Sequence, residues 1–125
     1  PFSYYFIDKP GKSQAILDTI LNDFYGIGDS GLALPGMDDA GEMSAWYVMT
    51  AGGLYSFSAT DPEYLVTVPI FDEVTWNLPN GNSLNIKHSE RRNLDGIQLN
   101  ETKMEGYFLS HDELENGGTL MLETN

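Results

Sequence analysis

Apolar positions near the start of the chain recur with helical periodicity. Between Pro10 and Tyr25 they fall at i, i+4, i+5 and i+8 spacings, which place them on one face of a helix: Ala15, Ile16, Leu17, Ile20, Leu21 and Phe24. Pro10 suits a first helical position, and Gly26 suits the position just after a helix. We therefore expect a helix over 10–25 and a loop over 26–38, which glycine and proline punctuate.

A second helix is expected from Ala40 to Ala51. Its apolar residues share one side, and the pair Gly52-Gly53 ends it; the residues on that side are Met43, Trp46 and Tyr47, with Thr50 beside them. The pattern thus predicts a helical pair in the first 53 residues.

From residue 54 onward, short segments alternate between apolar and polar residues, which is typical of β-strands. We expect strands within 54–59, 64–68, 74–78, 84–88, 97–99, 104–108 and 119–123. Asn80-Gly81 between two alternating segments predicts a hairpin, and a weaker hairpin signal surrounds 100–103. Ser110 followed by Glu113 fits a capping box that opens a short helical turn. The predicted fold class is α+β: two N-terminal helices followed by an antiparallel β-sheet or sandwich-like unit.

The composition excludes several classes of function. The chain has 125 residues with 41% hydrophobic content, enough for a core and too apolar for a disordered acidic tail. Nineteen acidic against six basic residues give a net charge of −13, which argues against binding to nucleic acid or anionic membranes. The absence of cysteine excludes a disulfide framework and a cysteine nucleophile. No apolar segment is long enough to span a bilayer.

The chain begins at Pro1, within an aromatic-rich segment. We therefore expect a fragment of a larger protein, and the lack of a visible signal peptide says nothing about export.

Candidate chemistry concentrates in the segment 34–46, where Asp38 and Asp39 lie in a glycine-bounded loop that opens into the second helix. One interpretation is capping: Asp39 would accept from backbone N–H groups of the first turn, and Glu42 would reach back. The other is a catalytic or metal-binding carboxylate, because a helix N-terminus favours the ionised form that a general base requires. The two interpretations are compatible.

Other candidates are weaker. His88 and His111 each lack a second histidine at metal-binding spacing. Asn100-Glu101-Thr102 matches a glycosylation sequon, which is frequent by chance. Four aromatic residues could stack on a sugar ring or simply pack in the core: Tyr4, Tyr5, Trp46 and Tyr47.

The run Gly36-Met37-Asp38-Asp39-Ala40-Gly41-Glu42-Met43-Ser44-Ala45-Trp46-Tyr47-Val48 resembles the signature of glycoside hydrolase family 92. Members are calcium-dependent, exo-acting, inverting α-mannosidases. The segments 10–14, 69–74 and 110–120 are also similar to the family's motifs and stand in the family's order.

The resemblance implies the C-terminal end of such an enzyme, whose parent joins an N-terminal β-sandwich to an (α/α)6 barrel. Residues 1–53 would be the terminal helices of the catalytic barrel, and 54–125 the C-terminal antiparallel β region. The implied partners are mannose-containing glycans, together with the missing sandwich and the rest of the barrel. The parent would be exported to the periplasm or the cell exterior and would act in N-glycan degradation.

The resemblance also implies roles for particular residues. Asp39 would be the general base that deprotonates water, with Asp38 and Glu42 in support and Trp46 close to substrate. The general acid, a Glu, would lie upstream of Pro1. Calcium would be a cofactor of the full-length parent, with most of its ligands upstream of Pro1, and the resemblance assigns no metal ligand within this chain.

The chain departs from the family pattern at two positions. Met37 replaces the usual Asn or Asp, and a thioether neither carries charge nor accepts hydrogen bonds strongly. Gly11 stands where the family has a Trp. These changes leave both the retention of activity and the mannoside linkage open.

Two other classes of function compete with the enzyme. One is a noncatalytic carbohydrate-binding or interaction module, suggested by the β-rich half and the aromatics. The other is a generic acidic structural domain, in which the carboxylates only cap helices and form a solvated surface. If the enzyme assignment holds, the 125-residue piece alone should be inactive and should expose helix faces meant for other barrel helices.

Overall fold

The computed structural model describes residues 1–27 and 34–125. Its helical segments are a 3₁₀ helix (Phe2–Ile7), α1 (Pro10–Thr19), a π-helical turn (Ile20–Phe24), α2 (Glu42–Ala51) and α3 (His111–Asn116). The expected first helix is confirmed, with Pro10 in its first turn and a change to π geometry over its last five residues. Part of the expected loop, residues 28–33, lies outside the described residues.

Helix α2 begins at Glu42 rather than at Ala40. Asp39, Ala40 and Gly41 have φ angles of 39°, 66° and 92°, in the left-handed region that a right-handed helix cannot include. Gly52 follows the helix, as expected.

The strands are β1 (Leu54–Tyr55), β2 (Glu63–Val66), β3 (Glu73–Asn77), β4 (Ser83–Lys87), β5 (Leu94–Leu99), β6 (Thr102–Lys103), β7 (Phe108–Ser110) and β8 (Gly118–Thr124). Over the described ranges they form a three-stranded sheet, β1-β2-β7, and a five-stranded sheet, β3-β4-β8-β5-β6. The predicted α+β class is confirmed. The neighbouring strands there are antiparallel apart from β4 and β8, which run parallel.

The Asn80-Gly81 hairpin is confirmed: it joins β3 to β4, with Asn77 opposite Ser83. The second hairpin turns at Asn100-Glu101, where both residues have the positive φ of a type I′ turn. Its return strand is only β6, so the expected strand over 104–108 is wrong. Gly106 turns the chain with φ 85°, and the next residues continue into β7 of the other sheet.

Helix α3 has the predicted capping box, in which Ser110 accepts from the Glu113 amide and the Glu113 carboxylate accepts from the Ser110 amide. The chain then enters β8, between β4 and β5. The two parts of the chain share one hydrophobic cluster, since Phe2, Tyr5 and Leu17 from the helical part pack in the same core as the sheet residues Leu84 and Leu120.

A polar network ties α1 to the segment after β2. The Gln14 side chain bonds both backbone groups of Val68, at 3.0 Å from the amide and 3.2 Å from the carbonyl. The Arg92 guanidinium donates to both carboxylate oxygens of Asp18, at 2.6 and 2.9 Å, and to the carbonyls of Val68 and Pro69. These bonds fix the helical part against the β part.

Over residues 1–27 and 34–125, no helix has both the length and the apolar character needed to cross a membrane.

Candidate active site

The loop before α2 makes a tight left-handed turn. The Asp38 carbonyl accepts from the amides of Gly41 and Glu42, at 3.0 and 2.8 Å. Asp39 and Ala40 lie inside this turn with positive φ, which is uncommon for residues other than glycine. The chain therefore reverses direction immediately before the helix, at the position of Asp39.

The carboxylate of Asp38 holds the first turn of the helix. One oxygen accepts from the Ser44 amide at 2.8 Å, and the other accepts from the Ser44 hydroxyl at 2.9 Å. These two bonds hold the pKa of Asp38 below its usual range. The expected capping by Asp39 is wrong, because Gly41 occupies the cap position without a side-chain bond and Asp38 serves the helix instead.

Asp39 lines an open cleft of about 470 Å³. Glu42, the first residue of α2, and Trp46, one turn further along, line the same cleft, whereas Asp38 is absent from its wall. The structure thus brings three of the four predicted site residues to one surface and assigns the fourth to the loop behind it.

Aromatic rings build one wall of the cleft. Tyr25 stacks on Trp46, with ring centroids 5.6 Å apart and planes 14° from parallel, and it also contacts the Tyr47 ring. Tyr55 joins the wall from β1 and stacks on Phe2. Trp46 is half-buried, so part of its ring faces the cleft and part packs against the core.

Tyr25 is a cleft residue that the sequence reasoning missed. Its hydroxyl donates to the Met43 carbonyl at 3.3 Å, which ties the end of the π-helical turn to α2. Partial burial, and then the Asp38 carboxylate, raise the pKa of Tyr25 above its usual range. In the sequence it is one more aromatic at a helix end, and only the fold brings it to Trp46.

Three methionines complete the lining: Met37, Met43 and Met49. Met37, which stands where the family resemblance expects Asn or Asp, is 80% exposed. Thioethers supply soft apolar surface without strong acceptors. The cleft therefore combines two carboxylates with an aromatic and thioether wall, a surface suited to the apolar face and the hydroxyl edge of a sugar.

The weaker candidates do not join this cleft. His88 is held by the carbonyls of Phe71 and Ser89. His111 bonds the Tyr64 hydroxyl at 3.2 Å and lies 3.6 Å from the Glu115 carboxylate. The remaining candidates have structural partners: Asn100 accepts from the Thr119 amide, Tyr5 is buried in the core beside Tyr107, and Tyr4 lies under the Lys12 ammonium.

A metal centre would need several oxygen or nitrogen ligands in one place. Among the residues that the structure describes, no group of three or more His, Asp or Glu side chains is arranged to hold an ion.

Comparison with known proteins gives a consistent result. Residues 1–125 match the model of the glycosyl hydrolase family 92 catalytic domain. The fold is similar to that of a family GH92 inverting mannosidase from Bacteroides thetaiotaomicron VPI-5482, with 31% identity and a TM-score of 0.81 over 98% of this chain. It is also similar to a family GH92 alpha-mannosidase from Bacteroides thetaiotaomicron, with 26% identity and a TM-score of 0.84 over 98% of this chain.

That second enzyme has also been solved in complex with mannoimidazole. A gh92 family glycosyl hydrolase, ccman5, shares the fold with a TM-score of 0.82 over the whole of this chain, at 16% identity and 21% of its own length. The chain spans 17% of the length of each of the two Bacteroides enzymes. No curated protein matches the chain significantly.

Proposed function

Because this chain belongs to glycosyl hydrolase family 92, we propose that it forms the C-terminal part of an exo-acting α-mannosidase that hydrolyses mannosidic bonds with inversion. The similarity to solved mannosidases over nearly the whole chain supports this proposal. Residues 1–53 would supply the last helices of the catalytic barrel, and 54–125 the β region after it. Export of the parent enzyme, and its action on mannose-containing glycans, rest on the family alone.

The proposed general base is Asp39. The observation that carries this assignment is that the two adjacent aspartates have different surroundings. Asp38 is hydrogen-bonded to Ser44, while Asp39 lines the cleft beside Trp46. In the proposed reaction, Asp39 takes a proton from water as the water oxygen bonds to the anomeric carbon. The bond from that carbon to the leaving oxygen breaks on the opposite face.

The leaving oxygen must receive a proton from a second carboxyl group. Inversion places the two carboxyl groups roughly 6.5–9.5 Å apart, with water and sugar between them. We propose that this acid is a Glu outside the chain. Glu42 and Trp46 have supporting roles, Glu42 as a polar group on the cleft wall and Trp46 as a surface for the sugar ring.

The donor set of the residues that the structure describes does not fit calcium. Hard cations of this kind take six to eight oxygen ligands, and the described residues hold no suitable carboxylate group of three. No step assigned here to Asp39 depends on calcium.

The test is Asp39→Asn in the full-length parent. Loss of the base should lower turnover of α-mannosides by about 10²–10⁴-fold, the usual contribution of a general base, with folding intact. Asp61→Asn, at another exposed aspartate, is the matched control and should leave turnover unchanged. Normal turnover by Asp39→Asn would overturn the assignment.

A noncatalytic carbohydrate-binding module is the second candidate, and the aromatic wall of Tyr25, Trp46 and Tyr55 is the observation that favours it. Calorimetry of the parent with mannose and mannobiose separates the two. Sugar binding without any hydrolysis by the unaltered parent would favour the module.

A further inference from the structure

The backbone at Asp39 is held in an unfavourable conformation. Asp39 and Ala40 both have left-handed φ angles, 39° and 66°, although neither is glycine. Such conformations persist only when surrounding contacts enforce them, and they cluster at functional sites. A specific contact near these residues must therefore hold the turn.

Asp38 supplies contacts on both sides of the turn. Its carbonyl accepts from Gly41 and Glu42, which closes the turn behind Asp39. Its carboxylate spans six residues to Ser44, and both oxygens are used there. Asp39 thus lies in the segment of backbone between Asp38 and Ser44, whose two ends are joined by these hydrogen bonds.

The far end of this segment is fixed. Trp46, two residues after Ser44, packs against the hydrophobic core, and Thr50 and Ala51 at the end of α2 are buried. A side chain that bonds to Ser44 is therefore anchored to the body of the protein. The same bonds favour the ionised form of Asp38, so the contact is a charge-assisted one.

We propose that Asp38 and Ser44 form a positioning pair that fixes the orientation of Asp39 toward the cleft. Neither residue touches the reacting atoms: the pair acts through the backbone turn between them. This inference rests on the proposed role of Asp39 as the base. It assigns Ser44 a role in catalysis through geometry.

The test compares Ser44→Ala, Ser44→Thr and Asp38→Asn in the full-length parent. Ser44→Ala removes one of the two bonds and keeps the other, so it is the milder variant if Asp38→Asn fails to fold. A small displacement of a catalytic group lowers rates by up to about 100-fold. We expect kcat to fall about 10- to 100-fold for Ser44→Ala and Asp38→Asn, with KM within about twofold. Ser44→Thr, which keeps the hydroxyl, should retain most of the activity.

A second readout separates positioning from a simple loss of stability. Azide is an anionic nucleophile that needs no deprotonation, so it should raise turnover wherever water activation is the defect. It should therefore rescue Ser44→Ala and Asp38→Asn in part, with Asp61→Asn as the unaffected control. A variant that is merely less folded would gain nothing from azide.

The outcomes distinguish this inference from the proposed function. Normal kcat in Ser44→Ala and Asp38→Asn, together with an inactive Asp39→Asn, would overturn the positioning pair and leave the base assignment standing. Reduced kcat without azide rescue would also overturn it. An active Asp39→Asn would instead overturn the base, and the pair with it.

Discussion

Two neighbouring aspartates in this chain have opposite surroundings. Both oxygens of Asp38 accept hydrogen bonds from Ser44, whereas Asp39 stands on the wall of an open cleft. The left-handed turn at Asp39 and Ala40 causes the difference, because it carries the chain around so that the two side chains serve different surfaces. The Asp38 carboxylate supports the helix, and the Asp39 carboxylate on the cleft wall is the proposed general base.

The sequence predicts the location of this site but not which of the two aspartates contacts the helix. Asp39 followed by Glu42 has the spacing of a capping box, so spacing alone assigns the cap to Asp39. The structure assigns the helix contact to Asp38, six residues before its partner Ser44. No pattern based on local helix caps covers that separation.

A substitution at Gly52 tests the packing between α2 and β3. A methyl group added there would lie 2.2 Å from Cζ2 of Trp76, whose indole N–H donates to the Gly52 carbonyl at 3.1 Å. Gly52→Ala should therefore displace the indole and lower the free energy of unfolding by about 1–3 kcal/mol. Calorimetry of the parent would measure this as a lower Tm.

Gly26→Ala is the matched control. Among the described residues, chain neighbours aside, no atom lies within 4 Å of a methyl group at Gly26, so the substitution should leave Tm nearly unchanged. Equal effects of the two substitutions would contradict the packing argument.

Some elements of this fold follow from short sequence patterns, whereas the pairing of distant strands does not. The hairpin at Asn80-Gly81 and the capping box at Ser110 are local, and both were predictable. The position of β8 between β4 and β5 was not, because alternation predicts a strand but does not identify its partners. The strand predicted over 104–108 was wrong for the same reason: β7, which begins at Phe108, pairs with β2, more than 40 residues earlier along the chain.

Helix α3 depends on its capping box, and Ser110→Ala tests it. The substitution should lower the free energy of unfolding by about 1 kcal/mol at neutral pH, since it removes the hydroxyl that accepts from the Glu113 amide. Ser110→Thr keeps a hydroxyl and should cost much less.

The effect of this substitution should depend on pH. Bonds from the Ser110 hydroxyl and amide hold the pKa of Glu113 below its ordinary value of 4.5. A depressed pKa stabilises the fold above the unfolded value, and that stabilisation disappears as pH falls through the folded value. The difference in Tm between the unaltered protein and Ser110→Ala should therefore shrink below about pH 4.5. A difference that stays constant down to pH 3 would contradict this account.

Taken whole, the chain is a small part of its relatives, spanning 17% of each of the two Bacteroides mannosidases. Its helices and sheets nevertheless share one hydrophobic cluster, and the Arg92 network adds polar ties between them. The family could be predicted from the motif around Asp39, because that motif is contiguous. The Arg92 network could not, because its members come from three separated segments.

The chain alone should not hydrolyse α-mannosides. Inverting hydrolysis needs an acid and a base on opposite sides of the bond, and we assign only the base to this chain. Assays of residues 1–125 with aryl α-mannosides should show no turnover above the rate in buffer. If residues 1–125 do show turnover, and Asp39→Asn abolishes it, a complete site lies within these residues. That result would contradict the proposal that the general acid lies outside the chain.

The base assignment is tested most directly by chemical rescue of Asp39→Ala in the full-length parent. Without a base, water attack should be slow. Azide should restore turnover of an activated aryl α-mannoside and give a β-mannosyl azide, which NMR identifies, because azide attacks the face opposite the leaving group. Undiminished hydrolysis by Asp39→Ala, or an α-configured azide product, would contradict the assignment of Asp39 as the base of an inverting reaction.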